Sequence, residues 1–278
     1  MALNTISLTA GMRANLISLQ KTSKDMELTQ NRLSTGLKVN TALDDPLNFF
    51  AAQSHRARSG DLAARKDGMS EAIQTIKAAN NGVETISTLI AQARSLASSA
   101  MSATSTDATA LAAQFTEVMS QIDDVAKDSG YKGINLLQSG SLTVEFAPSS
   151  GASTLTLQGF GDSDLTFEPT QSITSGSWVS GTTISIADIQ TSIDDLETAS
   201  ETLRLESKKL SSNLSIITAR EDFTTKMINT LEDGAAKLTE ADMNEEGANM
   251  LMLQTRQALG TTSLSLASQA AQSVLRLF

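Results

Sequence analysis

The sequence predicts a mainly α protein, a long antiparallel helical rod or coiled-coil bundle with a small β-hairpin insert. Three observations predict it. Apolar residues recur at alternating steps of three and four over most of the 278 residues, the spacing of a narrow seam along a helix. One Ser/Thr-rich stretch, 139–183, interrupts that rhythm. Aromatics are 4% and prolines number three, so rings are too few for a large conventional core and breakers too few to cut long helices.

The elements follow in chain order. Residues near 1–40 carry a seam of Met12, Leu16, Leu19, Ser23, Met26, Gln30, Leu33 and Leu37, with two polar misses. Asp44-Asp45-Pro46 breaks the chain, and the proline is expected to end the first helix. A helix over 57–100 shows Met69, Ala72, Ile76, Ala79, Val83, Ile86, Ile90, Ala93, Ala97 and Ala100 without a miss. A third, over 107–129, shows Ala108, Leu111, Phe115, Val118, Ile122 and Val125. Two of the three prolines, six of the sixteen glycines and the only tryptophan, Trp178, then fall in 139–183. Alternation at Leu142-Thr143-Val144-Glu145-Phe146 and Thr154-Leu155-Thr156-Leu157 predicts one or two hairpins there. No Lys or Arg occurs from Gly133 through Leu203. The seam resumes over 186–232 with Ile189, Ile193, Leu196, Leu203, Leu210, Leu214 and Ile217, a helix roughly 70 Å long from the rise per residue. A C-terminal helix over 240–278 carries Leu253, Gln257, Gly260, Leu264, Ala267, Ala271, Val274 and Phe278. The path is out and back, with the two ends side by side.

Composition excludes several kinds of chemistry. Without cysteine there is no disulfide, zinc-thiolate site or cysteine nucleophile. His55 is the single histidine and sits in a polar run, so it reads as a surface or interface residue with no partners for a metal. The carboxylate pairs Asp123-Asp124, Asp194-Asp195 and Glu245-Glu246 point about 100° apart on a helix, away from any common substrate atom. They read as solvated faces or first-turn charges, and Asp44-Asp45 as a turn or cap. Gly159-Phe160-Gly161-Asp162-Ser163-Asp164 lacks the third glycine of a dinucleotide loop and the carboxylates of a calcium loop, and reads as a hairpin turn. Seam methionines are core filler. No cofactor is expected, no residue is assigned catalysis, and the chain is read as no enzyme. A net charge of -10 opposes nucleic acid as a partner. No 18-residue apolar run spans a membrane, and no signal-peptide core precedes Asp25. By residues alone this is a soluble cytoplasmic protein whose amphipathic ends, usually the frayed part of a chain, mark an association surface. Those ends acting on a membrane is the alternative, and the single Arg and absent Lys of the last 22 residues disfavour it.

Particular residues carry a resemblance. Arg32-Leu33-Ser34-Thr35-Gly36-Leu37-Lys38-Val39-Asn40-Thr41-Ala42-Leu43-Asp44-Asp45 resembles the signature near the start of bacterial flagellins, and Tyr131-Lys132-Gly133-Ile134-Asn135-Leu136-Leu137 the segment that closes their N-terminal helical block. Glu240-Ala241-Asp242-Met243, Asn249-Met250, Ala258-Leu259-Gly260-Thr261-Thr262 and Ala267-Ser268-Gln269-Ala270 are similar to their C-terminal half-signature. The resemblance implies a structural subunit that self-polymerises into the flagellar filament after unfolded export by the flagellar type III pathway, which needs no cleaved signal. Its implied partners are further copies of itself, an export chaperone, and the hook-associated and cap proteins. It implies an inner coiled-coil domain of 1–40 with 240–278, a spoke of 41–56, a helical rod of 57–138 with 184–239, and a short surface insert of 139–183. The hook–filament junction protein of the same superfamily is a second reading, and a secreted binding protein using its terminal helices a third.

Two sets of site residues follow. The inter-subunit assembly seam is expected at Met12, Leu16, Leu19, Met26, Leu33, Leu37, Leu253, Leu264, Ala267, Ala271, Val274 and Phe278. The core within the subunit is expected at Ile76, Val83, Ile86, Ile90, Leu111, Phe115, Val118, Ile122, Ile193, Leu196, Leu203, Leu210, Leu214 and Ile217.

Overall fold

The structure is a computed structural model that describes residues 10–147, 153–159 and 173–275. Five helices dominate it: α1 (Ala10–Thr35), α2 (Pro46–Ala100), α3 (Ser105–Asp128), α4 (Ile186–Thr239) and α5 (Met243–Leu275). Four short strands, β1 (Ser141–Glu145), β2 (Thr154–Gln158), β3 (Val179–Ser180) and β4 (Thr183–Ile184), form two antiparallel hairpins, β1 with β2 and β3 with β4. The chain divides into two compact units. One joins 1–58 to 230–278, and the other is 59–229.

Local chemistry sets the helix ends. α1 stops where Gly36 takes φ +71° and its N–H donates to Arg32 O, the C-terminal glycine motif. The first helix therefore ends at Thr35, eleven residues before Pro46. Pro46 instead opens α2, its missing N–H costing nothing in the first turn, while Asp45 caps that turn by accepting from Asn48 N at 3.1 Å. Residues 46–56, expected in a connecting spoke, are the first turns of α2. Asp44 holds the preceding turn by accepting at one oxygen from Asn40 N, Thr41 N and the Thr41 hydroxyl. The N–H of Thr41, then its hydroxyl, keep the Asp44 carboxyl below its ordinary pKa. α3 opens on Thr104, which accepts from Asp107 N and donates to its carboxylate at 2.7 Å. It closes on Asn135, whose side-chain amide donates to Ala126 O and Lys127 O. Between them Lys132 at φ 49° and Gly133 at φ 82° make a tight turn, with Tyr131 and Ile134 exchanging both backbone hydrogen bonds.

The core of the 59–229 unit is built on the seams. Ile76, Val83, Ile86, Ile90, Phe115, Val118, Ile122, Ile193, Leu196, Leu203, Leu210 and Ile217 are buried there, and Leu111 and Leu214 are half-buried against them. On α4, Glu221 accepts from the Ser70 hydroxyl at 2.7 Å. The insert departs from expectation. Expected at the surface, it contributes Val144, Phe146, Leu157, Ile173 and Trp178 to this core. β1 and β2 pair with Leu142 opposite Leu157 and Val144 opposite Leu155, so one face is apolar and the other is Ser, Thr, Glu and Gln. Trp178 is fully buried, donates from Nε1 to Ser192 Oγ at 3.0 Å, and lies 4.6 Å from the Phe115 ring. Gly159 donates to Gly140 O, and the rest of the Gly159–Asp164 turn lies outside the described residues, as do Pro148 and Pro169.

Candidate assembly surface

The unit formed by 1–58 and 230–278 brings the two chain ends together. α1 and α5 pack antiparallel. Asn15 Nδ2 donates to Ser263 Oγ at 3.4 Å near one end of the pair, and Arg32 Nη1 contacts Glu246 Oε1 at 2.8 Å near the other. Between them Gly260 lies so close to Leu19 that a Cβ there would stand 2.8 Å from Leu19 Cδ2. The loop after α1 clamps the end of α4, since Lys38 N and Val39 N both donate to Thr239 O and Ala241 N donates to Gly36 O. Arg56 Nη2 donates to the Thr239 hydroxyl. Asp242 caps α5 by accepting from Asn244 N and Glu245 N.

The expected assembly seam is largely occupied within the chain. Met12 and Leu253 are buried, and Leu19, Met26, Leu33, Leu37, Leu264 and Ala267 are half-buried. Only Leu16, 40% exposed, faces outward among those described. The Ala271 and Val274 side chains and Phe278 lie outside the described residues. The physical reason is economical: an α1 seam and an α5 seam in one chain cover each other before any neighbour is needed. What remains exposed is apolar surface on each helix outside its seam: Leu16, Ile17 and Leu28 on α1, and Leu251, Met252, Leu259 and Leu266 on α5. Leu43, in the turn before α2, and Leu47 and Phe50, in its first turns, are exposed as well. Counting a single 3.5-residue stripe hides such surface. The signal for it was present as a further set of apolar positions, Leu251, Leu259 and Leu266, seven or eight residues apart on α5.

The other sequence candidates resolve locally. His55 is half-buried, and its Cδ2 is the nearest atom to a Cβ placed on Gly234, at 3.9 Å. Among the described residues no cluster of His, Cys, Asp and Glu is placed to hold a metal, and no helix is long and apolar enough to cross a membrane. Asp44 and Asp45 are caps, as expected. Glu245 and Glu246 lie in the first turn of α5, one of the two readings expected for them, and Glu246 is 6% exposed and ion-paired there.

Fold and surface thus define a largely helical chain whose paired ends present apolar side chains to solvent. Comparison with known proteins agrees in kind. A family model for the bacterial flagellin N-terminal helical region matches residues 4–141. The chain is 28% identical to flagellin FljM of Caulobacter vibrioides, with 100% of each covered. It is 27% identical to a flagellin of Brucella melitensis, with 99% of this chain and 97% of that one covered. A crystal structure of Bacillus cereus flagellin is similar at 20% identity and a TM-score of 0.46, covering 56% of this chain and 88% of that one. The chain belongs to the bacterial flagellin family.

Proposed function

We propose that this chain is the structural subunit of a flagellar filament, self-polymerising outside the cell after export by the flagellar type III pathway. The reading is supported by family membership and by one observation above others, the apolar surface that the α1–α5 pair leaves exposed. A soluble chain that keeps Leu251, Leu259 and Leu266 in water exposes them for a partner. The partner in this reading is the same face region of neighbouring copies, stacked in an open helical array. An export chaperone, the hook-associated proteins and the cap protein are the further partners that such a life cycle calls for. The apolar seams do the work, and no residue acts as a catalyst.

The test separates the two faces. Leu259→Asp places a charge on the exposed face, where the single chain tolerates it and an assembled one must desolvate it. Losing one apolar contact of about 1.5–3 kcal/mol raises the concentration needed for assembly by roughly 10- to 100-fold. Helix content by circular dichroism stays unchanged, and negative-stain microscopy after adding a salting-out agent shows no filaments. Filaments of ordinary length from Leu259→Asp would count against the reading. Leu264→Asp, in the inner seam, also blocks assembly but lowers helix content with it.

A further inference from the structure

The ion pair between α1 and α5, with Glu246 buried and the Arg32 side chain 28% exposed, is badly made for a stabilising contact. Glu246 is 6% exposed and touches Arg32 through a single N–H···O contact of 2.8 Å. Arg32 Nε and Glu246 Oε2 are both buried without a hydrogen-bond partner. A pair that leaves a donor and an acceptor unmet returns little against the desolvation of two charges, and an apolar pair of similar volume would hold the helices together at least as well.

Yet the apolar residues alone do not choose how α1 and α5 align. The contacts Asn15–Ser263, Leu19–Gly260 and Arg32–Glu246 define one antiparallel register. That register sets Met26 level with Leu253 and Leu28 level with Leu251. Slide α5 by one heptad in one direction and Leu33 comes level with Leu253, and Leu19 with Ala267. Slide it in the other and Leu19 meets Leu253. Each slipped seam is still apolar on apolar, because its repeat equals the slip. The charges do distinguish the three. Carried seven residues from the Arg32–Glu246 contact, the first slip sets Arg32 opposite Leu253 and the second sets Glu246 opposite Asp25, so one strands a charge against an apolar side chain and the other opposes like charges.

We propose that Arg32 and Glu246 are a register-determining pair, positioning residues that select one alignment of the terminal helices from several of similar apolar quality. The consequence for assembly rests on the filament reading. Register sets how the exposed residues of α1 and of α5 are offset along the pair, and a one-heptad slip would shift that offset on the surfaces that neighbouring copies must match.

The absence of native cysteine makes register directly readable. Three double-cysteine reporters are made in the full-length chain: Asn15→Cys with Ser263→Cys for the native alignment, and Asn15→Cys with Ala270→Cys or with Arg256→Cys for the two slips. Each is oxidised before and after salting-out, and disulfides within one chain are read as fast-migrating monomer on non-reducing gels. In the otherwise unaltered chain only the 15–263 pair closes. With Arg32→Leu and Glu246→Leu together, closure of a slipped pair rises by at least about tenfold, the shift expected once a stranded charge no longer opposes it. Reversing the charges with Arg32→Glu and Glu246→Arg returns closure to 15–263 alone, which a merely space-filling role would not do. The proposal is overturned if the double-leucine chain closes only at 15–263, if charge reversal fails to restore the native pattern, or if the unaltered chain closes a slipped pair or none. These bands report on single chains, so the filament reading stands or falls separately, by microscopy.

Discussion

At Gly82, on α2, the missing side chain is required by close approach. A Cβ there would run into Ser129 Oγ and stand 2.6 Å from Leu137 Cδ1. Ser129 cannot easily yield, because its hydroxyl donates to Val125 O at 2.6 Å. Gly68, also on α2 and also in the 59–229 unit, has nothing within 4 Å of the same position. The two glycines therefore predict opposite signs. Gly82→Ala should destabilise by about 1–2 kcal/mol, overpacking outweighing the gain in helix propensity. Gly68→Ala should stabilise by roughly 0.5–1 kcal/mol. Denaturant melts followed by circular dichroism would check both, and equal signs would refute the packing argument. Lys132 and Glu71, 2.9 Å apart, give a second residue-scale prediction. The hydrogen bond from Lys132 is the main cause holding the Glu71 carboxyl below its ordinary pKa, and its counterpart raises Lys132. Glu71 is depressed, so its contribution is present above its unfolded pKa and is lost as pH falls through the folded value. Lys132 is raised, so its contribution is full below its unfolded pKa and is lost as pH rises through the folded one. The Tm difference between the unaltered chain and Glu71→Gln should thus be a plateau across neutral pH that shrinks in acid and in strong alkali. Both groups are solvated, so it should be small and fade in high salt.

At the scale of elements, helices were legible wherever an apolar repeat ran unbroken. Met69 through Ala100 and Ala108 through Val125 show it, because a 3.5-residue spacing fits no other regular structure. Ends were less legible. The seam runs on through Leu37, beyond the last turn of α1, while the stop lies in Gly36 and its positive φ. Pro46 read as a terminator when its place one residue after Asp45 makes it an initiator. Asp45→Ala should cost α2 about 1 kcal/mol through loss of its cap, read as a lower Tm with unchanged helix content at low temperature. A wholly unchanged Tm would deny Asp45 that role. The insert read as surface because its Ser, Thr and Gly are polar or small. The lone Trp178 was the contrary signal, since so large a ring seldom stays in water when one core is within reach. The pairing of Glu246 was beyond any local reading, as its partner lies 214 residues away in sequence.

The whole molecule is organised so that one unit needs both chain ends and the other needs only the middle. The α1–α5 pair cannot form until the last stretch has been made, because its contacts cross more than two hundred residues. That makes the terminal unit the slower to close. Limited proteolysis follows from the same division. Soluble chain should lose residues of 1–58 and 230–278 faster than assembled chain, leaving a fragment near 59–229 by mass spectrometry. Equal trimming rates before and after assembly would contradict burial of that unit between copies.

Trp178 and Tyr131 are the sole tryptophan and tyrosine, and both belong to the 59–229 unit. Near-ultraviolet emission is therefore deaf to the terminal helices. Growth of a polymer through α1 and α5 should leave the emission maximum where it was, even as scattered light climbs. A probe for that part of the molecule has to be introduced, and the terminal unit, without tryptophan or tyrosine, offers a dark background for it.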